Sequence, residues 1–415
     1  MMKNRLILLM LFAAAACGPK VNPDDGGNNN NETSVDKRGP FEVEIGKPLP
    51  LWQEGVLDIH AINTGSGECT FFILPDGTTI LCDAGDLYKH SKSGKTRVAV
   101  RPTEESIPYK TYGSYIKYFL PQGHSMIDYF VLTHFHIDHM AYLEKGRINS
   151  AGGYAYAGPM GLYSDIKFEK SLDRLYPDYT QEGEDDDPNS APSNRSAYAT
   201  FLDYNARAFG LKAEKFQVGT DKQLAMKYNA AKYPTCKVFN YAVNGIVWDG
   251  TKEVNTHARY ENGMSTAFLV SYGKFDYFTS GDLNEKSTCT AIAASIGKNI
   301  EGMKAHHHMS NEATFDVEMA TYKPQVVVTQ SFYALTTQPQ QSIIQKYSGS
   351  TDLYFTNIDP SISTARSDIY APCKGMNGHV VIRVAGGGDM FWVYMLDDTD
   401  KKYNVKSITG PYFCE

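Results

Sequence analysis

The chain has 415 residues, of which 42% are hydrophobic and 12% aromatic. That is enough apolar material for one elaborated domain or two ordinary ones, and it excludes a disordered or fibrous protein. The formal charge is −7 and becomes −9 when the two positives Lys3 and Arg5 leave with a leader, so no basic excess advertises nucleic-acid binding.

Lys3 and Arg5 precede an unbroken apolar run over 6–16 that ends at Cys17. Such a run is too short to cross a bilayer. It suits the apolar core of a secretory signal, and Ala14-Ala15-Ala16-Cys17 has the form of a bacterial lipoprotein signal in which Cys17 becomes the lipidated first residue. The expectation is a signal peptide over 1–16, or else an ordinary signal cleaved nearby. In the first case the protein is anchored through Cys17 to a bacterial cell envelope, at the outer membrane or the periplasmic face. Residues 17–40 are mostly Gly, Asn, Asp and Pro and read as a flexible tether. The folded domain is then 41–415.

Two β-rich runs flank Pro75-Asp76-Gly77, a tight-turn signal, and predict a hairpin. A further apolar strand from Ile127 runs straight into Thr133-His134-Phe135-His136-Ile137-Asp138-His139. Residues 146–250 are less regular and read as a large insertion, with Tyr154, Tyr156, Tyr163, Tyr176 and Tyr179, an acidic loop at 184–187 and a helix near 196–210. Tyrosines in such a place can stack on rings or bases, but more often they pack. Strand signals return over 265–282, followed by a helix near 288–297, the run His306-His307-His308, and apolar strands at 323–331 and 378–396. Sheets interspersed with helices make the class α/β.

Six cysteines lie beyond Cys17, none in a CxxC pair, which argues against a cysteine-built zinc knuckle. Disulfides are permitted in an oxidising compartment, with Cys373–Cys414 one possible tie, and the connectivity stays open. No GxSxG elbow or Walker-type phosphate loop is present, and no cysteine stands in a nucleophile context. His134, His136, Asp138 and His139 are four potential ligands in a loop whose origin a strand fixes. Imidazole and carboxylate together suit zinc, with manganese or iron as alternatives.

The HxHxDH pattern of His134, His136, Asp138 and His139 is the signature of the metallo-β-lactamase superfamily, which the chain resembles over roughly 55–330. Leu81-Cys82-Asp83-Ala84-Gly85-Asp86 is similar to that family's first motif, which implies that Asp83 supports the metal loop without ligating. Asn262 and Ser265, then Tyr272-Gly273-Lys274-Phe275, Ser280-Gly281-Asp282 and His306-His307-His308-Met309-Ser310, resemble the ComEC-type branch, the extracellular hydrolase domain of DNA-uptake proteins, whose last motif reads HHGS.

The resemblance implies an αββα sandwich with an insertion after the metal loop. One or two divalent ions follow from it, zinc first. His134 and His136 would hold one ion, Asp138 and His139 a second, with Asp282 bridging and His306, preferred to His307, completing the second site. Asp138 would also orient the attacking water, and His307 and His308 would serve as acids, His308 standing where the branch has Gly. His257 is the only nearby candidate for the third histidine of the wider superfamily. The function implied is hydrolysis of a phosphoester, most of all a phosphodiester. A lactone or β-lactam hydrolase is the alternative, and a non-catalytic surface binding protein is the reading least supported by so complete a ligand set.

Overall fold

The computed structural model describes residues 38–85, 101–103, 106–143, 146–180, 191–330, 338–347 and 349–415. The expected signal peptide, Cys17, nearly all of the tether and the acidic loop at 184–187 lie outside the described residues.

Two large sheets, each of nine strands, dominate the described chain. The first runs in the spatial order Val405–Phe413, Met390–Leu396, His379–Val384, Leu57–Ala61, Thr70–Ile73, Thr79–Cys82, Met126–Val131, Lys167–Asp173 and Lys212–Lys215. The second runs Glu253–Asn255, Ile246–Trp248, Cys236–Val243, Ala267–Tyr272, Phe275–Thr279, Gly302–Lys304, Val326–Thr329, Asp352–Phe355 and Gly375–Met376. Each sheet is antiparallel in one half and parallel in the other.

The period-two alternation of the strands explains why these sheets stack. Along Thr70–Ile73, Phe71 and Ile73 point to one core while Phe72 points to another. Along Phe275–Thr279, Phe275 and Tyr277 share the core of Phe72, and Phe278 faces a third. The shared core, with Ile80, Val131, Val270, Val328 and Val393, therefore lies between the sheets. Outside the first sheet pack the helices Pro108–Phe119, Gly158–Asp165 and Ala191–Phe209, through Tyr112, Met160 and Phe201 among others. Outside the second pack Lys286–Ile296, Asp316–Tyr322 and Gln341–Tyr347, through Ile292, Tyr322 and Ile344. This is the αββα sandwich expected from the sequence. Burying one large apolar side chain from such a strand stabilises by about 1.5–3 kcal/mol.

The hairpin around Pro75-Asp76-Gly77 is present, with Thr70 opposite Cys82 and Ile73 opposite Thr79. The region 146–250 does not stand apart: it contributes two strands to the first sheet and two to the second. Its tyrosines pack. Tyr154 and Tyr163 are buried in the outer core of the first sheet, and Tyr156, Tyr176 and Tyr179 lie partly buried against it. Every described cysteine is a free thiol, Cys373 and Cys414 included.

Candidate metal centre

The parallel halves of the two sheets end at one place. Asp83 follows Thr79–Cys82, the loop 133–139 follows Met126–Val131, Asp282 follows Phe275–Thr279, His308 lies just past Gly302–Lys304, and Gln330 follows Val326–Thr329. The carboxyl ends of parallel strands are where α/β folds place their ligands, and here strands of both sheets converge there.

Among the described residues, one group of side chains can gather around an ion: ligand atoms of Glu68, His139, Asp282 and His308 lie within 4.8 Å of one another, and all four residues are buried. Close backbone contacts set this spacing. The Glu68 amide donates to the Asp138 carbonyl at 2.8 Å, Gly85 donates to the Glu68 carbonyl at 2.8 Å, and Ala84 donates to the His139 carbonyl at 3.0 Å. A Cβ on Gly85 would meet the Asp138 carbonyl oxygen at 1.7 Å, so only glycine admits the approach.

Each imidazole is oriented through its other nitrogen. His139 Nδ1 donates to Asp83 Oδ2 at 2.7 Å, and the same carboxylate accepts from the Thr133 amide at 2.8 Å and the Thr133 hydroxyl at 2.7 Å. His308 Nδ1 donates to the Gln330 carbonyl at 2.8 Å. The Nε2 atoms of both rings therefore face inward, the arrangement that fixes the tautomer of a metal-ligating histidine. His139 Nε2 lies 3.1 Å from Asp282 Oδ2, and His308 Nε2 lies 2.8 Å from Asp138 Oδ2 and 3.2 Å from Asp282 Oδ2.

Asp282 Oδ1 is buried without a hydrogen-bond partner, with the Lys304 ammonium near it at 3.5 Å. Burial of such groups is costly unless something satisfies them. A divalent cation fits here: two inward imidazoles and the Asp282 carboxylate are nitrogen and oxygen donors of the kind zinc accepts.

The electrostatics are those of a concentrated anionic pocket. Burial works to raise the Asp282 carboxyl, but the facing His139 and His308 outweigh it and hold the group well below its ordinary value. Burial works to lower the His308 imidazole, but Asp282 and Asp138 push it up to about 10. For His134 burial and the neighbouring His139 and His136 act together and push its pKa well down.

The positions expected from the sequence are thus distributed unevenly. His139 and Asp282 join the cluster, and Asp138 touches it through His308. His134 and His136 face each other, Nε2 to Nδ1 at 3.2 Å, and the His134 ring lies tilted at 49° to that of His139 with centroids 4.1 Å apart. The structure does not bring His306 to the cluster. Its Nδ1 meets the Ser280 hydroxyl and its Nε2 lies 2.9 Å from Glu318 Oε1, on the helix side of the second sheet.

His308, read from the sequence as a proton carrier, stands where His306 was expected. Residues His307, His308 and Met309 all have positive φ, 42°, 51° and 63°. All three lie in the left-handed region that glycine favours, and this turn carries His308 inward while His306 points away. His307 remains partly buried at the rim, where Asn262 Nδ2 and Gln338 Nε2 reach its Nε2 at 3.3 and 3.1 Å and Ser310 Oγ lies 3.0 Å from its Nδ1. His257 is exposed and lies outside the cluster.

The sequence reading missed Glu68. Its one signal was a lone carboxylate two residues before the strand Thr70–Ile73, in a loop with no other metal-ligand residue type except Cys69. It also missed Glu261 and Asn194, which hold the peptide of Phe135 between the two loop histidines: Phe135 N–H donates to Glu261 Oε1 at 2.9 Å, and Asn194 Nδ2 donates to the Phe135 carbonyl at 2.8 Å.

No family model and no curated protein matches the chain. Solved structures with a similar course exist. A metallo-beta-lactamase fold protein, YhfI from Bacillus subtilis, is 12% identical with TM-score 0.35, covering 81% of this chain and 99% of its own. Zn(2+)-bound PqqB from Methylobacterium extorquens is 10% identical with TM-score 0.34, covering 79% and 99%. A protein of unknown function from Enterococcus faecalis V583 is 10% identical with TM-score 0.27, covering 74% and 73%. The chain's own sheets and cluster define its class: an αββα sandwich with a buried histidine–carboxylate centre at its strand ends.

Proposed function

We propose that this protein is a metal-dependent hydrolase that cleaves phosphoesters, most of all phosphodiesters, with water activated at the His139–Asp282–His308 centre. The observation that carries the proposal is the buried cluster with its inward nitrogens and unsatisfied oxygen. His139, His308 and Asp282 would hold a divalent ion there, which would lower the pKa of a bound water to about 7. The chain's own groups do the rest. Asp138, with Oδ2 facing His308, is placed to hold a proton taken from that water. His307, whose Nε2 accepts from the Asn262 and Gln338 amides and whose pKa burial lowers, is kept neutral at the rim as a hydrogen-bonding wall of the site. The phosphodiester assignment is supported by the sequence resemblance to the ComEC-type branch.

The proposal extends to place: the protein is exported and tethered to the cell envelope through a lipidated Cys17. Among the described residues, no helix is long and apolar enough to cross a membrane. Metal analysis of the purified protein, combined with rates on a phosphodiester, a phosphomonoester, a lactone and a β-lactam, tests the activity. Phosphodiester turnover that chelation abolishes and zinc restores is the expected result, and turnover of the lactone or β-lactam alone would overturn the substrate assignment. Cys17→Ser should release the protein from membranes and abolish its labelling with lipid.

A further inference from the structure

Strand Gly302–Lys304 ends on a lysine with 1% exposure. Lys304 Nζ lies 2.5 Å from Glu68 Oε1 and 3.5 Å from Asp282 Oδ1, and it donates to the Gly281 carbonyl. An ammonium has three donors and no lone pair, so Lys304 cannot ligate an ion. It instead stands as a fixed positive charge against two of the four clustered side chains.

The two rings of the centre show on which side Glu68 stands. Asp282 and Asp138 approach His139 and His308 at Nε2, at 2.8–3.7 Å. Glu68 approaches both rings at Nδ1: Oε2 is 3.7 Å from His139 Nδ1, and Oε1 is 3.4 Å from His308 Nδ1. Those Nδ1 atoms are already turned toward Asp83 and Gln330. Glu68 therefore lies behind the imidazoles, on the side away from the inward nitrogens.

We infer that Glu68 is not a metal ligand but the buried counter-charge of Lys304, and that Lys304 is a positioning residue. Paired with Glu68, in the loop before strand Thr70–Ile73 of the first sheet, and bonded to the Gly281 carbonyl, just past the neighbouring strand of its own sheet, it fixes the turn that presents Asp282. The ligand set is then Asp138, His139, Asp282 and His308. The inference rests on the metal-centre reading above. It also accounts for a lysine buried at the end of a strand, since burying a charge is costly unless it is paired and hydrogen-bonded.

Cobalt(II) tests it, because its visible spectrum reports the ligand set independently of turnover. The full-length protein stripped of metal is titrated with cobalt(II) as wild type, Glu68→Gln, Lys304→Met and the double variant Glu68→Gln/Lys304→Met. The expected result is one spectrum throughout. Affinity should fall about tenfold in Lys304→Met, where the Asp282 turn is released, an effect of the size seen when supporting groups around a metal are lost. The double variant should regain folding stability over either single variant, because it leaves no unpaired buried charge.

A changed spectrum or lost stoichiometry in a folded Glu68→Gln protein would overturn the inference and make Glu68 a ligand. If the double variant does not fold, Glu68→Gln, which keeps the side-chain shape, decides the question by the same spectrum. Failure of the wild type to take up cobalt(II) would overturn the metal-centre reading and this inference with it. Uptake by wild type with an altered Glu68→Gln spectrum would overturn this inference alone.

Discussion

Asp83 holds His139 by its Nδ1 at 2.7 Å and holds the Thr133 amide and hydroxyl with the same carboxylate. One side chain thereby fixes both the start of the histidine loop and the ring at its end. Asp83→Ala frees His139 to rotate, and metal affinity should fall about 10–100-fold. Competition with a chelating dye measures this, and unchanged affinity in a folded variant would remove Asp83 from the centre.

His306 and His308 should separate cleanly. His308→Ala removes an inward nitrogen, so bound metal and turnover should both collapse. His306→Ala leaves Glu318 without its buried partner, at a cost of about 1–3 kcal/mol in stability, while the metal stoichiometry stays that of the wild type. Elemental analysis and denaturant unfolding of the two variants check both halves. Full metal content in His308→Ala would return His306 to consideration.

Acid sensitivity should trace partly to His379, which is not one of the clustered residues. Burial, followed by the neighbouring His60, lowers its pKa from 6.5 to about 3, and its Nδ1 accepts from the Asn63 amide at 3.0 Å. The folded-state pKa lies below the unfolded one, so between those values the unfolded chain binds a proton that the folded chain refuses. Stability therefore falls as pH drops from 6.5 toward 3 and levels off below. His379→Gln should flatten the slope of unfolding free energy against pH in that window. A slope identical to wild type would show that His379 protonates in the folded state.

Asp58 and Arg383 meet in a fully buried pair, Nε to Oδ1 at 2.8 Å and Nη2 to Oδ2 at 2.7 Å. Burial opposes the charge on Asp58, yet Arg383 outweighs it and holds the carboxyl at about 2. Its contribution is thus present above the ordinary carboxylate value of 3.8 and is lost as pH falls through about 2. Arg383→Met leaves the buried carboxylate with only His60 beside it and should cost about 3–5 kcal/mol, whereas Asp58→Asn together with Arg383→Met should cost much less. Equilibrium unfolding of both proteins distinguishes the two outcomes.

The sandwich was legible because its strands carry apolar side chains on both faces, as in Phe71 and Phe72, and because Pro75-Asp76-Gly77 marks the hairpin. The loop of His139 was legible for a different reason: its ligand types cluster within a few residues after a strand. What connects through space was not legible. Glu68 and Lys304 lie far apart in the chain and carry no local pattern, and only the convergence of two sheets gives them to each other. Which of His306-His307-His308 reaches the cluster was not legible for a third reason. Three adjacent histidines are equivalent by composition, and the left-handed turn that sends His308 inward and His306 toward Glu318 is a backbone property that residue types do not announce. The strands within 146–250 were less legible because, short or partly polar, they are completed by neighbours elsewhere in the chain.

The four clustered side chains come from positions 68, 139, 282 and 308, two from each sheet. No fragment of the chain that lacks either sheet can assemble the centre, and its formation must wait for pairings of very long sequence separation, the slowest kind to form. An ion bound there recognises only the chain with both sheets docked. It therefore acts as a clasp on that docking, adding about 2.7 kcal/mol when present at a hundred times its dissociation constant. Metal supply would then govern how long the chain endures heat or proteases as well as how fast it turns over substrate.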